Sequence, residues 1–378
     1  MFLLKYSNSA RLRLSCVPAE LSNYQHHSDT MTDHALTTMV SGFYTELNDK
    51  CNFKTRVNSQ DLPERINKLI QQLSEETMKR YYGSGIIVPE NIKGARILDI
   101  GCGSGSLVFI LAKLVGPEGH VVGIDVCQSQ IDIAKQVSAQ QAAAWGYDKP
   151  NFEFHAANAE RLLELGFQPF DFIVSNGVFC LIPDKQKAFK ATYDLLKPGG
   201  QFYINDVYTD TELPEEIKSN EKLWSLGTTG SMIWSDLSGY AAKNGFTTPY
   251  LTQAAPVDIK NEEYKTLLNN AKYTCAAWRL FKLAPGSKRG PATVTYLGNI
   301  EDYEAAFPWD VDLKFVKGQP VNVDAELATI LANTNFKNNF NIKDFNGTVE
   351  TKRNQDPFKH MAKLASEGNA PEPIYSVE

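Results

Sequence analysis

The sequence has no cluster of cysteines and no long apolar run. Its six cysteines are scattered along 378 residues: Cys16, Cys51, Cys102, Cys127, Cys180 and Cys275. None forms a CxxC pair, which argues against a disulfide scaffold or a zinc site and is typical of a reducing compartment. No apolar stretch approaches the roughly 20 residues that a membrane-spanning helix needs. We therefore expect a cytoplasmic protein without a metal site or a membrane partner.

The chain also lacks a strong excess of charge of one sign. Its formal net charge is -6, with 22% charged and 43% hydrophobic residues, as in ordinary globular proteins. This balance gives no basis for electrostatic binding to nucleic acid, so we expect a small-molecule partner and a monomer. The first thirty residues carry Lys5, Arg11 and Arg13 before any acid. They loosely resemble a mitochondrial transit peptide, but we favour a disordered extension over residues 1–39.

What the sequence does contain is a glycine turn, ARILDIGCGSGSL, at residues 95–107. An apolar run that includes Asp99 is followed by Gly101, Gly103 and Gly105, and then by apolar residues at helical spacing. This pattern predicts a strand, a tight turn and a helix. Glycine permits a positive φ and lets a ligand approach the backbone closely. Such a turn is where doubly wound sheets bind nucleotides.

A second acidic strand end follows about twenty residues later. The segment HVVGID ends at Asp125, where an acid can accept hydrogen bonds from ribose hydroxyls. The alternatives are an ordinary strand-turn-helix or an NAD site. Together, the D-x-G-x-G-x-G turn and Asp125 resemble motif I and strand 2 of class I S-adenosylmethionine (SAM) methyltransferases. The resemblance implies SAM as cofactor.

Later strand ends supply further candidates at the same edge of the sheet. The residues expected to bind the cofactor, in addition to the turn and Asp125, are Val126, Asn158, Ala159 and Ser175. Asn158 is the candidate for the adenine edge. The alternative is that its side chain forms hydrogen bonds within its own turn, as loop asparagines do. The expected catalytic residues are Asn176, Asp206 and Tyr208. Asp206 either accepts a proton or holds a cationic substrate, or it only caps its strand exit.

A segment rich in proline and glycine divides the rest of the chain. The strand at Thr274–Leu283 is expected to close the sheet, and PGSKRGP at 285–291 reads as a linker. We expect a SAM-dependent methyltransferase domain at 40–284 whose N-terminal helices cover the cofactor. A small C-terminal domain follows at 292–364, and a flexible tail at 365–378. In the loop before the first strand, Tyr81 and Tyr82 are either core aromatics or part of that cover.

The motifs also resemble one particular family in order along the chain. RYYGSGIIVPE, VSNGVFCLIPDK, LKPGGQFYINDVYTDTELPEEI and the C-terminal VTYLGNI and DPFK are similar to segments of arsenite methyltransferases. The resemblance covers about residues 40–364. It implies an α/β fold: a class I SAM methyltransferase Rossmann-like doubly wound sheet with N-terminal helices and a small C-terminal α+β domain.

The family's arsenic-binding cysteines are missing at the matching positions. These positions hold Thr55, Ser84, Gly177 and Gly227 in this chain. Trivalent arsenic is soft and prefers thiolate ligands, which hydroxyls and glycine do not replace. We therefore expect weak arsenite methylation and a methyl acceptor that is an N, S or O centre of an organic metabolite. The expected acceptor pocket comprises Ser84, Gly177, Phe179, Trp224 and Gly227.

Two alternatives remain open for the acceptor. The first is methylation of arsenite with relocated thiols, from Cys51, Cys180 or Cys275, or with thiols from solution. The second is a SAM-binding protein that has lost its chemistry. Retention of Asp99, the three glycines and Asp125 speaks against loss of the cofactor site.

Overall fold

A computed structural model describes residues 33–50, 62–350 and 353–377 of the chain. Its first helix is Asp33–Lys50 (α1). The expectation of a disordered extension up to residue 39 is therefore wrong for 33–39. Two short helices follow, Glu64–Ile70 (α2) and Glu75–Met78 (α3). Ser74 takes an extended conformation between them, with a ψ of 136°.

The central part of the chain alternates strands and helices. Its strands are Arg96–Ile100 (β1), His120–Asp125 (β2), Phe152–Ala156 (β3), Phe170–Asn176 (β4), Leu196–Thr209 (β5), Met232–Ile233 (β6), Tyr250–Ile259 (β7) and Tyr273–Phe281 (β8). Its α-helices are Ser106–Val115 (α4), Gln128–Ala144 (α5), Lys185–Leu195 (α6), Glu215–Lys218 (α7), Glu221–Ser225 (α8), Leu237–Asn244 (α9) and Glu262–Leu267 (α10). Short 3-10 helices lie at Ala159–Leu165, Phe179–Leu181 and Trp234–Asp236.

The C-terminal part adds short strands and two helices. Its strands are Ala292–Tyr296 (β9), Ala306–Pro308 (β10), Lys314–Val316 (β11), Pro320–Val323 (β12), Phe340–Asp344 (β13) and Tyr375–Val377 (β14). Its helices are Ala325–Asn333 (α11) and Pro357–Ser366 (α12). Strands β12, β9 and β13 form one antiparallel sheet, and β10 pairs with β11. The expected small α+β unit is present.

The main sheet has the strand order β14-β7-β8-β5-β4-β1-β2-β3, with β6 added beside β5. Only β8 runs against its neighbours β5 and β7 in the described sheet; the other pairings are parallel. Parallel strands that are buried on both faces read as apolar runs, and Ile97, Leu98 and Ile173 are fully buried. Helices cover both faces, so the class I methyltransferase fold expected from the sequence is confirmed.

Two features of this sheet differ from the expectations. Strand β7 was not expected, and it lies between β8 and the last strand, β14. Strand β14 pairs with β7 through the register Tyr375↔Val257 to Val377↔Ile259. The expectation of a flexible tail is therefore wrong for residues 375–377. None of the described helices combines the length and the apolar composition that crossing a membrane requires.

The apolar core continues from the main sheet into the C-terminal unit. Tyr250 of β7 and Phe281 of β8 belong to the same buried cluster as Trp309 and Phe336. The ring of Phe281 stacks on that of Trp309, with centroids 5.8 Å apart. Gly199, in the Pro198-Gly199-Gly200 segment, lies so close to Asn333 that an added Cβ would be 2.8 Å from its carbonyl oxygen. The Pro198-Gly199-Gly200 segment is thus a bulge of β5 that contacts α11.

Candidate functional site

A cavity of about 130 Å³ opens at the carboxyl edge of the sheet, beside the glycine turn. Most of the residues expected to bind the cofactor line it: Asp99, Gly101, Gly103, Asp125, Val126, Asn158 and Ala159. Asn176 and Gly177, from the end of β4, line it as well. The strand ends that the sequence pointed to are therefore brought together in one place.

Asp125 connects the end of β2 to the glycine turn. Its Oδ2 accepts a hydrogen bond from the backbone N–H of Gly103 at 2.9 Å, and its Oδ1 accepts one from Cys127 at 2.8 Å. Burial raises the pKa of this carboxyl group, whereas the backbone donors lower it. A carboxylate fixed in this way still has lone pairs for a ligand's hydroxyls. The geometry fits the expected role of Asp125 at the ribose.

Asp99 provides a test of whether a cationic cofactor fits. Its side chain is 2% exposed, and its Oδ2 has no hydrogen-bond partner among the described residues. Burial, and secondarily the nearby Asp125, raise the pKa of Asp99 to about 8. A buried acceptor without a partner is costly, and a bound cation would compensate it. The ammonium and sulfonium groups of SAM supply such positive charge, so the residues present fit SAM.

The three glycines of the turn have different surroundings. Gly101 has a φ of +75°, and a Cβ there would lie 2.1 Å from Cγ2 of Val178. A Cβ on Gly103 would meet no described atom within 4 Å, which leaves that side of the turn open to a ligand. Gly105 faces away, because a Cβ there would lie 2.8 Å from the ring of Phe154. Gly105 begins α4 and does not line the cavity, so its expected contact with the cofactor is wrong.

Two other expected cofactor residues differ in their partners: the Ser175 hydroxyl has none among the described residues, whereas the Asn158 side chain is bonded within its own turn. Ser175 is fully buried within β4, paired with β1 and β5, and does not line the cavity. The expected contact of Ser175 with the cofactor is therefore wrong. Asn158 lines the cavity, but its Oδ1 accepts the N–H of Glu160 at 2.7 Å and its Nδ2 donates to the Glu160 carboxylate. The geometry favours the alternative in which Asn158 satisfies its own turn.

Two of the expected catalytic side chains, Asp206 and Tyr208, do not line the cavity. Asp206 accepts the backbone N–H groups of Val178, Phe179, Cys180 and Val207. It thus caps its strand exit, and the expected proton transfer or substrate contact is wrong for it. Tyr208 is fully buried in the apolar core, and its hydroxyl has no hydrogen-bond partner among the described residues. Its expected catalytic role is wrong because its side chain does not reach the cavity.

Asn176 lines the cavity and also fixes the loop before β1. Its Oδ1 accepts the N–H of Ser84 at 2.9 Å, and its Nδ2 donates to the carbonyl of Gly85. Asn205 donates to the carbonyl of Ser84 at 2.7 Å from the neighbouring strand. The Asn176 amide therefore holds the loop before β1 (residues 80–89) in place by hydrogen bonds and is not available for chemistry.

Phe179 and Trp224 do not form the expected acceptor pocket. Phe179 is fully buried and packs against Phe189, with ring centroids 4.9 Å apart. Trp224 packs against α1 at Leu36 and Val40, and its indole N–H donates to the carbonyl of Leu181 at 3.1 Å. Both expectations are wrong, because the apolar core and the N-terminal helix cover these rings.

Of the three other expected acceptor residues, Gly177 lines the cavity, whereas Ser84 and Gly227 are not in its lining, and neither are Cys180 and Cys275. A Cβ on Gly177 would be 3.8 Å from Oγ of Ser84. A Cβ on Gly227 would be 3.0 Å from Sγ of Cys180. Cys275, on β8, lies close enough to Ser84 for that residue to lower the pKa of its thiol, and it shares a buried cluster with Cys180. Thr55 and Cys51 lie outside the described residues.

Both thiols are buried and neutral. Cys180 is 3% and Cys275 is 2% exposed, and they share one apolar cluster. Burial raises the pKa of Cys180 well above its ordinary value, and nearby Asp206 adds to this shift. Burial raises the pKa of the Cys275 thiol to about 12, and nearby Ser84 opposes this shift. From the sequence alone, both cysteines were only candidates for a relocated arsenic-binding site.

Aromatic residues close the cavity on its N-terminal side, and the sequence indicated them only in part. Tyr44 of α1 and Tyr82 line the cavity, with ring centroids 5.7 Å apart. Tyr81 also lines it but is 5% exposed, and its hydroxyl donates to the carbonyl of Gly85 at 2.7 Å. Tyr82 contacts Tyr375 of β14, a residue for which the sequence gave no signal.

A larger crevice of about 930 Å³ lies between the loop before β1 and the C-terminal unit. It contains none of the glycine turn and none of the acidic strand ends. Its buried cation, Arg279, is already paired with Glu90 at 3.2 Å. We assign the cofactor to the smaller cavity because the residues that fit SAM are there.

Comparisons with known proteins agree with this geometry. A family model described as a methyltransferase domain matches residues 91–272, and one described as the arsenite methyltransferase C-terminal domain matches 289–374. The rat arsenite methyltransferase is 36% identical, over 82% of this chain and 85% of that protein. The human arsenite methyltransferase is 37% identical, over 77% and 78%.

A solved structure resembles the chain as well. The arsenic (III) S-adenosylmethionine methyltransferase of Chlamydomonas reinhardtii superimposes with a TM-score of 0.70 at 30% identity. The match covers 74% of this chain and 96% of that one. The two family models together cover the sheet that carries the cavity and the C-terminal unit.

Proposed function

The chain belongs to the arsenite methyltransferase family and is a SAM-dependent methyltransferase, and we propose that it methylates trivalent arsenic held by Cys180 and Cys275. SAM, when bound, supplies an electrophilic methyl group on a sulfonium. Asp99, the open side of Gly103 and Asp125 would hold it. The relatives named for arsenite support the acceptor class.

The single observation that carries this proposal is the placement of the two thiols. Cys180 lies against the Gly227 position, and Cys275 lies close enough to Ser84 for that residue to lower the pKa of its thiol. Ser84 and Gly227 are two of the four positions at which the family has arsenic-binding cysteines. These two of the four lost thiols therefore each have another thiol as a neighbour. This arrangement favours relocation of the site over its loss.

Neutral buried thiols can bind arsenous acid without a separate base. Each thiol forms an As–S bond while one As–OH bond breaks, and the thiol proton leaves with the hydroxide as water. Two such condensations release two water molecules, and a thiol from solution displaces the last As–OH group in the same way and releases a third water molecule. Thiolate sulfur is the natural ligand of a soft centre such as As(III).

The methylation step then uses the arsenic lone pair. That lone pair would form the new As–C bond with the methyl group that bound SAM supplies, and the electron pair of the S–CH₃ bond would remain on the donor sulfur. No proton is removed from the acceptor. The protein contributes by holding the arsenic in place and by excluding water from the buried thiols.

The expectation of an N, S or O acceptor in an organic metabolite has less support. A hydroxyl acceptor needs a group that removes its proton, and four backbone N–H groups already donate to Asp206. Asn176 is held by the 80–89 loop, and Tyr208 lies in the core. The arsenic lone pair avoids this requirement. We therefore replace the organic metabolite by a trivalent arsenic species as the preferred acceptor.

Binding of As(III) to single-cysteine variants tests the proposal. Cys180→Ser and Cys275→Ser should each weaken As(III) binding by at least tenfold, because two-point attachment is lost. Cys127→Ser is the matched control, since its thiol contacts Ser41, Thr45 and Ser129 in the cofactor part of the cavity. If both variants bind As(III) as tightly as the parent protein, the relocated site is wrong.

A further inference from the structure

Two tyrosines from opposite ends of the chain hold consecutive carbonyl groups beside the thiols. The hydroxyl of Tyr44, on α1, donates to the carbonyl of Ser225 at 3.2 Å. The hydroxyl of Tyr375, on β14, donates to the carbonyl of Leu226 at 3.0 Å. These carbonyls end α8, where the backbone oxygens need partners from outside the helix. The N-terminal and C-terminal segments thus fix the same helix end.

The last strand is held tightly enough to position Tyr375. Strand β14 pairs with β7, and the N–H of Lys260 donates to the carbonyl of Val377 at 2.8 Å. Tyr375 is 6% and Val377 is 1% exposed. Tyr82 contacts Tyr375 edge-on, with ring centroids 5.5 Å apart, and the two hydroxyls are hydrogen-bonded. Tyr375 therefore links the last strand to an aromatic residue of the cavity.

The segment that Tyr375 holds packs directly on Cys180. Gly227 follows Leu226, and its Cβ position is 3.0 Å from Sγ of Cys180. Three residues later, a Cβ on Gly230 would be 2.1 Å from the carbonyl oxygen of Cys180. Tyr375, Cys180 and Cys275 also share one buried cluster. A shift of the 226–230 backbone would therefore remove the segment that covers Cys180 on one side.

We propose that the C-terminal strand is part of the acceptor site and that Tyr375 is its positioning residue. Through the Leu226 carbonyl, Tyr375 fixes residues 226–230 against Cys180 and keeps the two thiols in a closed, water-poor chamber. Its contact with Tyr82 places this wall next to the cofactor cavity. The assignment of an acceptor rests on the proposed function, but the closure of the thiols does not depend on arsenic.

Tyr375→Phe tests the inference, since it removes the hydroxyl and keeps the ring. Mass spectrometry should show alkylation of Cys180 by N-ethylmaleimide at least fivefold faster than in the parent protein, with Cys102 unchanged. The KM for arsenite should rise at least fivefold, with kcat within twofold and unchanged SAM affinity. Ser376→Ala is the matched control on the same strand and should behave like the parent. A chain ending at Pro373 should show a larger increase in the alkylation of Cys180.

The two readouts separate failure of this inference from failure of the proposed function. If Tyr375→Phe leaves the alkylation of Cys180 unchanged, the positioning role is wrong. If both Tyr375→Phe and Ser376→Ala accelerate alkylation of every buried cysteine, the effect is general loosening, and the inference is equally overturned. If the parent protein does not methylate arsenite but Cys180 is selectively exposed in Tyr375→Phe, the proposed acceptor fails and the positioning role stands.

Discussion

Replacing Asp125 by alanine separates the two tasks of this carboxylate. In the protein it accepts the N–H groups of Gly103 and Cys127, and those bonds exist whether or not SAM is bound. Their loss therefore lowers the free energy of unfolding but cancels to first order in the binding equilibrium. The ribose bonds exist only in the complex. Losing a hydrogen bond to a charged group costs about 1.5–3 kcal/mol, or about 10- to 150-fold in the SAM dissociation constant.

Isothermal titration calorimetry with SAM measures this change directly. Asp132→Asn is a suitable control, because Asp132 lies on the exposed side of α5 and its carboxylate pairs with Gln128. The control should keep the parent's SAM affinity and its stability to within a few tenths of a kcal/mol, as is usual for surface substitutions. Unchanged SAM affinity in a folded Asp125→Ala protein would refute the assignment of the ribose to this residue.

Three further predictions concern the same part of the chain and its boundary. Because the pKa of Asp99 is raised, the folded protein without ligand binds more protons than the unfolded chain between about pH 4 and 8, so its stability falls as the pH rises through this window. The melting temperature of Asp99→Asn should therefore exceed that of the parent by an amount that grows from pH 5 to 8. A difference that stays constant over this range would contradict the prediction. Gly101→Ala should cost about 1–3 kcal/mol in denaturant unfolding, because its Cβ meets Val178, and Val178→Ala should restore part of the loss if the clash is the cause. Limited trypsin digestion should cut within 285–291 before it cuts within 95–206, and the reverse order would contradict the domain boundary.

The cofactor half of the site could be predicted because its signals are local. Asp99, the glycines and Asp125 sit at strand ends that the apolar pattern marks by itself, and parallel strands bring such ends to one edge. The same reasoning assigned Gly105 and Ser175 wrongly. Whether a turn residue faces the ligand or the core depends on its neighbours across the sheet, such as Phe154, which the local pattern does not specify.

The acceptor half depended on contacts between distant segments. Asp206 looked like a free acid at a strand exit, but four backbone N–H groups converge on it only in the folded chain. Strand β14 has three residues and takes its stability from pairing with β7, whose own sequence includes Pro256. The proximity of Cys180 to Gly227 likewise follows from packing of the 226–230 segment, so spacing along the chain did not predict it.

The production of methylated arsenic by the purified protein tests the central claim most directly. Arsenite, SAM and a thiol reductant are incubated with the parent protein or with a Cys180→Ser/Cys275→Ser double variant, and the arsenic species are separated and measured by mass spectrometry. The account predicts a methylated arsenic product with the parent and at least a tenfold lower rate with the double variant, at equal SAM affinity. Equal rates from both proteins, or no methylated arsenic from a parent protein that binds SAM, would contradict it.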